Sequence, residues 1–364
     1  MFSKIVSDLP TVVPFIAPEE IERTTGQQFL LRLGANESTF GPSPLAIAAM
    51  QNATVSSYNY ADPTCHELRH HIARHCDEDF KSITVGAGID DLLLLIARVL
   101  LDPGDQVVMS HGGYPTFAYA VRGVGGHLVN VPYLKYANNL SKLLETATTT
   151  KPKILYLANP DNPTGSFVSE HDLNKWISGI PRNIVVIIDE AYGEFAPKVK
   201  LEPSDRVIRL RTFSKAYGMA GMRVGYSISN NGMASEMEKV RLHFGVNIVA
   251  QAGAQASLND SDWICKVRTE TASSKEVLRK TASKLGIEYV DSHTNFALLD
   301  FMSKDMAAEV LKALQSRGVF VRKPQVPPLD SCIRVTLGDI NHMREFDKQL
   351  CLAVPEAVMR LENS

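Results

Sequence analysis

Short apolar runs alternate with segments of helical spacing through the middle of the chain. Runs at 83–85, 106–109, 127–131, 154–157, 184–188 and 207–210 read as strands, and 90–101, 114–121, 140–147 and 171–177 read as helices. Strands that interleave with helices in this way predict an α/β fold: a mostly parallel sheet flanked by helices, with active residues at the strand C-termini. From about 236 helices dominate. The tail then returns to β/α character, with strands at 287–290, 296–299, 319–321 and 333–337 and helices over 304–316 and 340–352. This second pattern predicts a smaller α/β domain.

Upstream, the first thirty or so residues look irregular, with Pro10, Pro14 and Pro18 and a short helix over 19–23. The stretch 31–38 reads as a strand running into a polar turn, and Pro42 and Pro44 introduce a helix over 45–50. Thr64 is a plausible N-cap for a helix over 66–76. The expected division is an N-terminal arm (1–35), a large domain (36–245) and a small C-terminal domain (246–364).

Composition narrows the partners. With 364 residues, 45% hydrophobic and 21% charged, the chain matches an ordinary soluble protein long enough for two domains. A net charge of −2 gives no electrostatic reason to expect nucleic acid or an anionic membrane. The five cysteines are scattered and odd in number, which suits free thiols in a reducing compartment. No stretch reads as a signal peptide or membrane span, so a cytoplasmic protein is expected.

Two tempting motifs fail. His66/His70 and His71/His75 have a metal-compatible i,i+4 spacing, but the pairs lie about 140° apart on a helix, so no metal is expected and a solvated face is the better reading. Gly86-Ala87-Gly88 feeds the helix predicted from 90, as a phosphate cradle requires, but Asp91 stands where a dinucleotide fingerprint needs its third glycine. There is no P-loop either.

Three strand ends carry polar clusters: Asn159-Pro160-Asp161-Asn162-Pro163-Thr164-Gly165, Asp189-Glu190-Ala191-Tyr192, and the stretch from Arg211 to Tyr226. In the last, Lys215 follows Thr212 and Ser214 and precedes Arg223 by eight positions. Taken singly these are a turn, a helix cap and a surface lysine. Together they meet the needs of pyridoxal phosphate, an electron-sink cofactor. Lys215 offers the amine, Asp189 a carboxylate for the ring nitrogen, and Asn162 and Tyr192 donors for the ring hydroxyl. Ala87, Gly88, Ile89, Ser214 and Arg223 suit the phosphate, and Tyr114 an aromatic face.

With Leu33-Gly34-Ala35-Asn36-Glu37-Ser38, Tyr60-Ala61-Asp62-Pro63 and Ile333-Arg334-Val335-Thr336-Leu337-Gly338 added, the chain resembles the fold-type I class I/II aminotransferases. Within them it is most similar to the histidinol-phosphate aminotransferases. The resemblance implies Lys215 as the Schiff-base lysine and proton shuttle, and the cofactor roles just given. It implies that Tyr60 reaches the cofactor of a neighbouring subunit, making the active site a property of a homodimer. It also implies that Arg334 holds the anionic end of the substrate, that Arg322 adds a second positive charge, and that Asn36 belongs with the substrate-binding residues. Two arginines suit a dianionic phosphate better than a carboxylate, although Arg322 also fits an exposed loop charge beside Lys323.

The implied reaction is ping-pong transamination between L-histidinol phosphate and 2-oxoglutarate. Two departures bear on substrate: Pro14 is followed by Phe15 where these enzymes tend to have a tyrosine, and Gly112-Gly113 precedes Tyr114 in a turn that more often contains proline. An aminotransferase for another amino acid, aromatic or from a specialised pathway, therefore stays open. So does a pyridoxal phosphate decarboxylase acting on a phospho-amino acid; a non-enzymatic ligand-binding protein on the same fold is disfavoured by the retained lysine.

Overall fold

Twelve strands define the architecture of the chain, seen in a computed structural model that describes residues 2–9 and 16–363. The Pro14–Phe15 step lies outside the described residues. In order the strands are β1 (Leu31–Arg32), β2 (Ile83–Gly86), β3 (Gln106–Ser110), β4 (His127–Val131), β5 (Ile154–Ala158) and β6 (Val185–Asp189). They continue with β7 (Val207–Thr212), β8 (Gly225–Ile228), β9 (Glu288–Val290), β10 (Phe296–Asp300), β11 (Val319–Phe320) and β12 (Cys332–Thr336).

Seven of them form one sheet in the order β2-β8-β7-β6-β5-β3-β4, parallel throughout except for β8, which runs antiparallel to both neighbours. Alternation explains why β6 is apolar along its whole length. Ile187 packs with Tyr156, Leu210 and the helix Ile89–Leu100 on one face, while Val186 and Ile188 pack with Leu155, Leu157, Leu173 and Trp176 on the other. A parallel sheet covered on both faces needs such continuous runs. The C-terminal ends of β5, β6 and β7 consequently open together at one edge, each followed by a polar cluster.

The second core gathers β10 and β12 with the helices Lys304–Ser316 and Ile340–Glu362. Leu31 and Leu33, from the expected arm and its border, are buried in that core. Helix Ile248–Leu258, expected in the smaller domain, instead packs Ala250 and Ala254 beside Phe213, Tyr217 and Tyr226. No helix among the described residues is long and apolar enough to cross a membrane.

Several local expectations are corrected. Within 31–38 the strand covers only Leu31–Arg32, because the chain then packs on Phe320 at Gly34 and turns at Asn36, which adopts a left-handed φ of 57°. Cys65, not Thr64, stands at the N-cap of the helix His66–Cys76 without a side-chain bond, and the Asp62 carboxylate accepts from the N–H groups of His66 at 2.7 Å and Thr64 at 2.9 Å. β8 is not among the predicted strands, since a glycine-rich loop hides its short run; a Cβ at Gly225 would lie 2.9 Å from the Arg211 carbonyl oxygen. The final helix runs past 352 and through Pro355, with Ala353 and Ala357 buried on either side. On the histidine-rich helix, His66 and His70 stack edge to face, and His70 lies flat on Phe80.

Candidate active site

Asp189 ends β6 with its carboxylate buried and both oxygens engaged. Oδ1 accepts from the Ala191 N–H at 3.0 Å and Oδ2 from the Tyr156 hydroxyl at 2.7 Å. Burial pushes its pKa up to about 6, against the lowering effect of those hydrogen bonds. No helix begins directly after Asp189, so it is not the helix cap that its position also allowed.

Beside it, the Tyr192 hydroxyl accepts from Asn36 Nδ2 at 3.0 Å and from Asn162 Nδ2 at 3.4 Å. Burial pushes this phenol up to about 12. Asn162 turns its Oδ1 toward Arg334, which donates at 2.6 Å and also reaches the Gly34 carbonyl at 2.7 Å. Asp161 anchors the loop carrying Asn162, accepting from Tyr133 and Asn138 on one oxygen and twice from Thr164 on the other. Asn36 is fixed by Thr336, whose hydroxyl both accepts the Asn36 N–H and donates to its side chain.

Lys215 lies past the end of β7 with Nζ 5.8 Å from the Tyr192 ring centre and 3.3 Å from the Ala35 carbonyl oxygen. Withdrawal from water, and then the charge of Arg334, lower its pKa to about 8. A carboxylate, a phenol and a depressed lysine at neighbouring strand ends can hold an aromatic nitrogen heterocycle and exchange protons beside it.

The phosphate cradle differs in detail from expectation. The Ala87 N–H is taken by Asp91 Oδ2 at 2.8 Å, and the Gly88 N–H by the Gly86 carbonyl at 2.8 Å, so these two expected donors are already committed. The helix Ile89–Leu100 begins immediately after, and its first N–H groups, from Ile89 onward, face away from the intrahelical ladder. Arg223 stands over this turn. A Cβ at Gly88, where φ is +88°, would come within 2.6 Å of its guanidinium. Arg223 also lies 3.4 Å from the Ser214 hydroxyl and 3.3 Å from Asp90. Asp90 in turn accepts from the Tyr114 hydroxyl at 2.9 Å.

Arg322 and Arg334 pair across an isolated antiparallel bridge. Arg322 donates to the Ile16 carbonyl at 2.8 Å and lies over the Phe320 ring. Tyr60 stands apart, 83% exposed, its ring tilted against that of Phe244. The sequence reading missed Tyr156, Asp90, Thr336 and the Asp161 support. Of these, Asp161 and Thr336 lay in singled-out motifs, but with no role assigned to either.

The family model for "Aminotransferase class I and II" matches residues 29–350. The chain belongs to that family. It is 34% identical to the histidinol-phosphate aminotransferase of Symbiobacterium thermophilum, across 94% of this chain and 96% of that one. It is 31% identical to the same enzyme of Moorella thermoacetica, across 93% and 89%. Among solved structures, the histidinol-phosphate aminotransferase of Sinorhizobium meliloti in complex with pyridoxal-5′-phosphate superposes with a TM-score of 0.93 at 38% identity, covering 99% of this chain and 98% of that one.

Proposed function

We propose that the chain is a pyridoxal phosphate-dependent aminotransferase whose amino donor is L-histidinol phosphate and whose acceptor is 2-oxoglutarate. The residues present suit the cofactor: the turn at Gly88 is kept free of a side chain beneath the Arg223 guanidinium, next to a helix N-terminus and the Ser214 hydroxyl. Ser214, Arg223 and the N–H groups from Ile89 onward would hold the phosphate. Asp189 would hold the ring nitrogen, Asn162 and Tyr192 the ring oxygen, Tyr114 the ring face and Lys215 the carbonyl carbon. When bound, the cofactor supplies an electron sink for the carbon that loses its proton.

The protein side of the chemistry follows from Lys215. A pKa near 8 leaves a useful share of its Nζ unprotonated around neutral pH, so it would take the proton from the donor carbon and deliver it to C4′ of the cofactor within the same half-reaction, with the reverse transfer serving the oxo acid. Tyr192, held neutral, keeps its hydroxyl as a hydrogen-bonding group.

Substrate choice rests on Arg322 beside Arg334, a paired positive site matched to a dianionic phosphate. The name shared by the relatives at 31–38% identity supports the same choice. The test is a titration of the cofactor-loaded protein with L-histidinol phosphate, glutamate and aromatic amino acids, following the visible absorbance of the cofactor. Bleaching by histidinol phosphate at the lowest concentration is expected. Bleaching by ordinary amino acids alone would move the donor to another amino acid, and carbon dioxide release would move the reaction to decarboxylation.

A further inference from the structure

Tyr156 sits in the middle of β5, in a run that periodicity explains as sheet core. Its ring does pack there, 5.0 Å from the ring of Phe117. The hydroxyl is a different matter. It crosses to the neighbouring strand and donates to Asp189 Oδ2 at 2.7 Å, with both residues buried. Phenylalanine would fill the same core position, so packing does not account for the oxygen.

We propose that Tyr156 is a positioning residue for the aminotransferase reaction, holding Asp189 as an oriented carboxylate for the cofactor's ring nitrogen. The inference rests on the function proposed above.

Burial disfavours the ionisation of Asp189, and the charges of Asp90 and Glu190 add to it. The two hydrogen bonds it accepts oppose that tendency, and Tyr156 makes the one from a side chain. The Tyr156 phenol is raised well above its ordinary value by burial and by Asp189, so it remains a neutral donor. Loss of that donor makes the carboxylate a stronger base toward the ring nitrogen. The proton they share then moves from the nitrogen to the Asp189 oxygen, leaving two neutral partners in place of an ion pair.

The experiment uses holoenzyme loaded with pyridoxal phosphate labelled with ¹⁵N in the ring, comparing wild type, Tyr156→Phe and Tyr136→Phe. Tyr136 donates to Asp300 at 2.6 Å, so it controls for losing a phenol–carboxylate bond elsewhere. Wild type and Tyr136→Phe are expected at the protonated ¹⁵N shift, with Tyr156→Phe displaced toward the unprotonated one. Cofactor affinity in Tyr156→Phe should fall roughly ten- to hundredfold, the share of a hydrogen bond to a charged group.

A wild-type ¹⁵N signal in Tyr156→Phe, with wild type protonated, overturns the proposal alone. An unprotonated nitrogen or no cofactor binding in wild type overturns the functional reading with it. Should Tyr156→Phe not fold, Tyr156→Leu, also apolar and without a donor, is read against the same two shifts.

Discussion

Arg322 and Arg334 face each other across a single antiparallel bridge, the Arg322 N–H 3.2 Å from the Arg334 carbonyl and the reverse pair at 2.6 Å. Like charges repel, and the Arg322 charge adds to burial in lowering the pKa of Arg334. Arg334 is held by Asn162 and Gly34, and its Nε is buried with no hydrogen-bond partner among the described residues. An anionic ligand relieves both costs at once.

This arrangement separates the two arginines by experiment. Arg334→Lys breaks the fork that engages Asn162 and Gly34, and is expected to lower kcat/KM by roughly a hundredfold for every donor. Arg322→Ala is expected to cost a phosphate-bearing donor about tenfold or more, while glutamate loses little. Steady-state kinetics with both donors check this. An equal loss on both donors in Arg322→Ala would remove the argument for a dianion.

Burial raises Asp189 to about 6 from an ordinary 3.8. The folded chain therefore holds this proton more tightly than the unfolded chain, and stability falls as pH climbs through that interval. Asp189→Asn removes the buried charge. In cofactor-free protein it is expected to be more stable than wild type at about pH 8 by about 1–3 kcal/mol, with the gain fading toward about pH 4. Urea unfolding at the two pH values measures it, and an identical gain at both would contradict the sign. The same variant should bind cofactor less tightly, so the site carries a stability cost for its function.

Much of this site was legible because Lys215, Asp189 and Asn162 each follow an apolar run, where a parallel sheet must place its working residues. What was hidden depends on partners far apart in sequence. Asn36 donates to Tyr192 across 156 positions, and Asn36 and Thr336 meet across 300. Tyr156 was masked because one apolar run cannot say which aromatic carries a working hydroxyl. The glycine turn announced a cradle, yet nothing in its spacing tells that Asp91 folds back to take the Ala87 N–H.

Glu190, next to Asp189, has a structural duty that can be isolated. It accepts from Arg209 on both oxygens at 3.0 and 3.1 Å and from Arg211 at 3.0 Å, joining the start of the loop after β6 to β7. Those arginines hold its carboxyl below the usual range despite its burial. Glu190→Gln leaves two partly buried guanidinium groups short of charge and is expected to destabilise the fold by about 3–5 kcal/mol. Chemical denaturation checks the loss; a change below about 1 kcal/mol would show that solvent replaces the carboxylate.

Gly88 tests the phosphate cradle without removing a charged group. Alanine there would strain a φ of +88° and press on the Arg223 guanidinium at 2.6 Å. The expected result is a cofactor affinity lowered about tenfold or more, read by fluorescence titration of cofactor-free protein. Unchanged affinity would place the phosphate elsewhere.

Tyr60 gives the sharpest test of a shared active site. It is 83% exposed and packs at a tilt against Phe244, itself 55% exposed, with Val55 and Tyr58 exposed nearby in sequence. Such a patch suits burial against a second copy. If Tyr60 serves the partner's cofactor, mixing Lys215→Ala and Tyr60→Ala subunits creates complete sites. The tyrosine of each Lys215→Ala subunit meets the intact lysine of its Tyr60→Ala partner, while the other site of that dimer loses both. Random exchange should restore activity to about a quarter of the sites, from an inactive and a weakened parent. A mixture no more active than the average of its parents would confine Tyr60 to its own chain and leave each active site within one subunit.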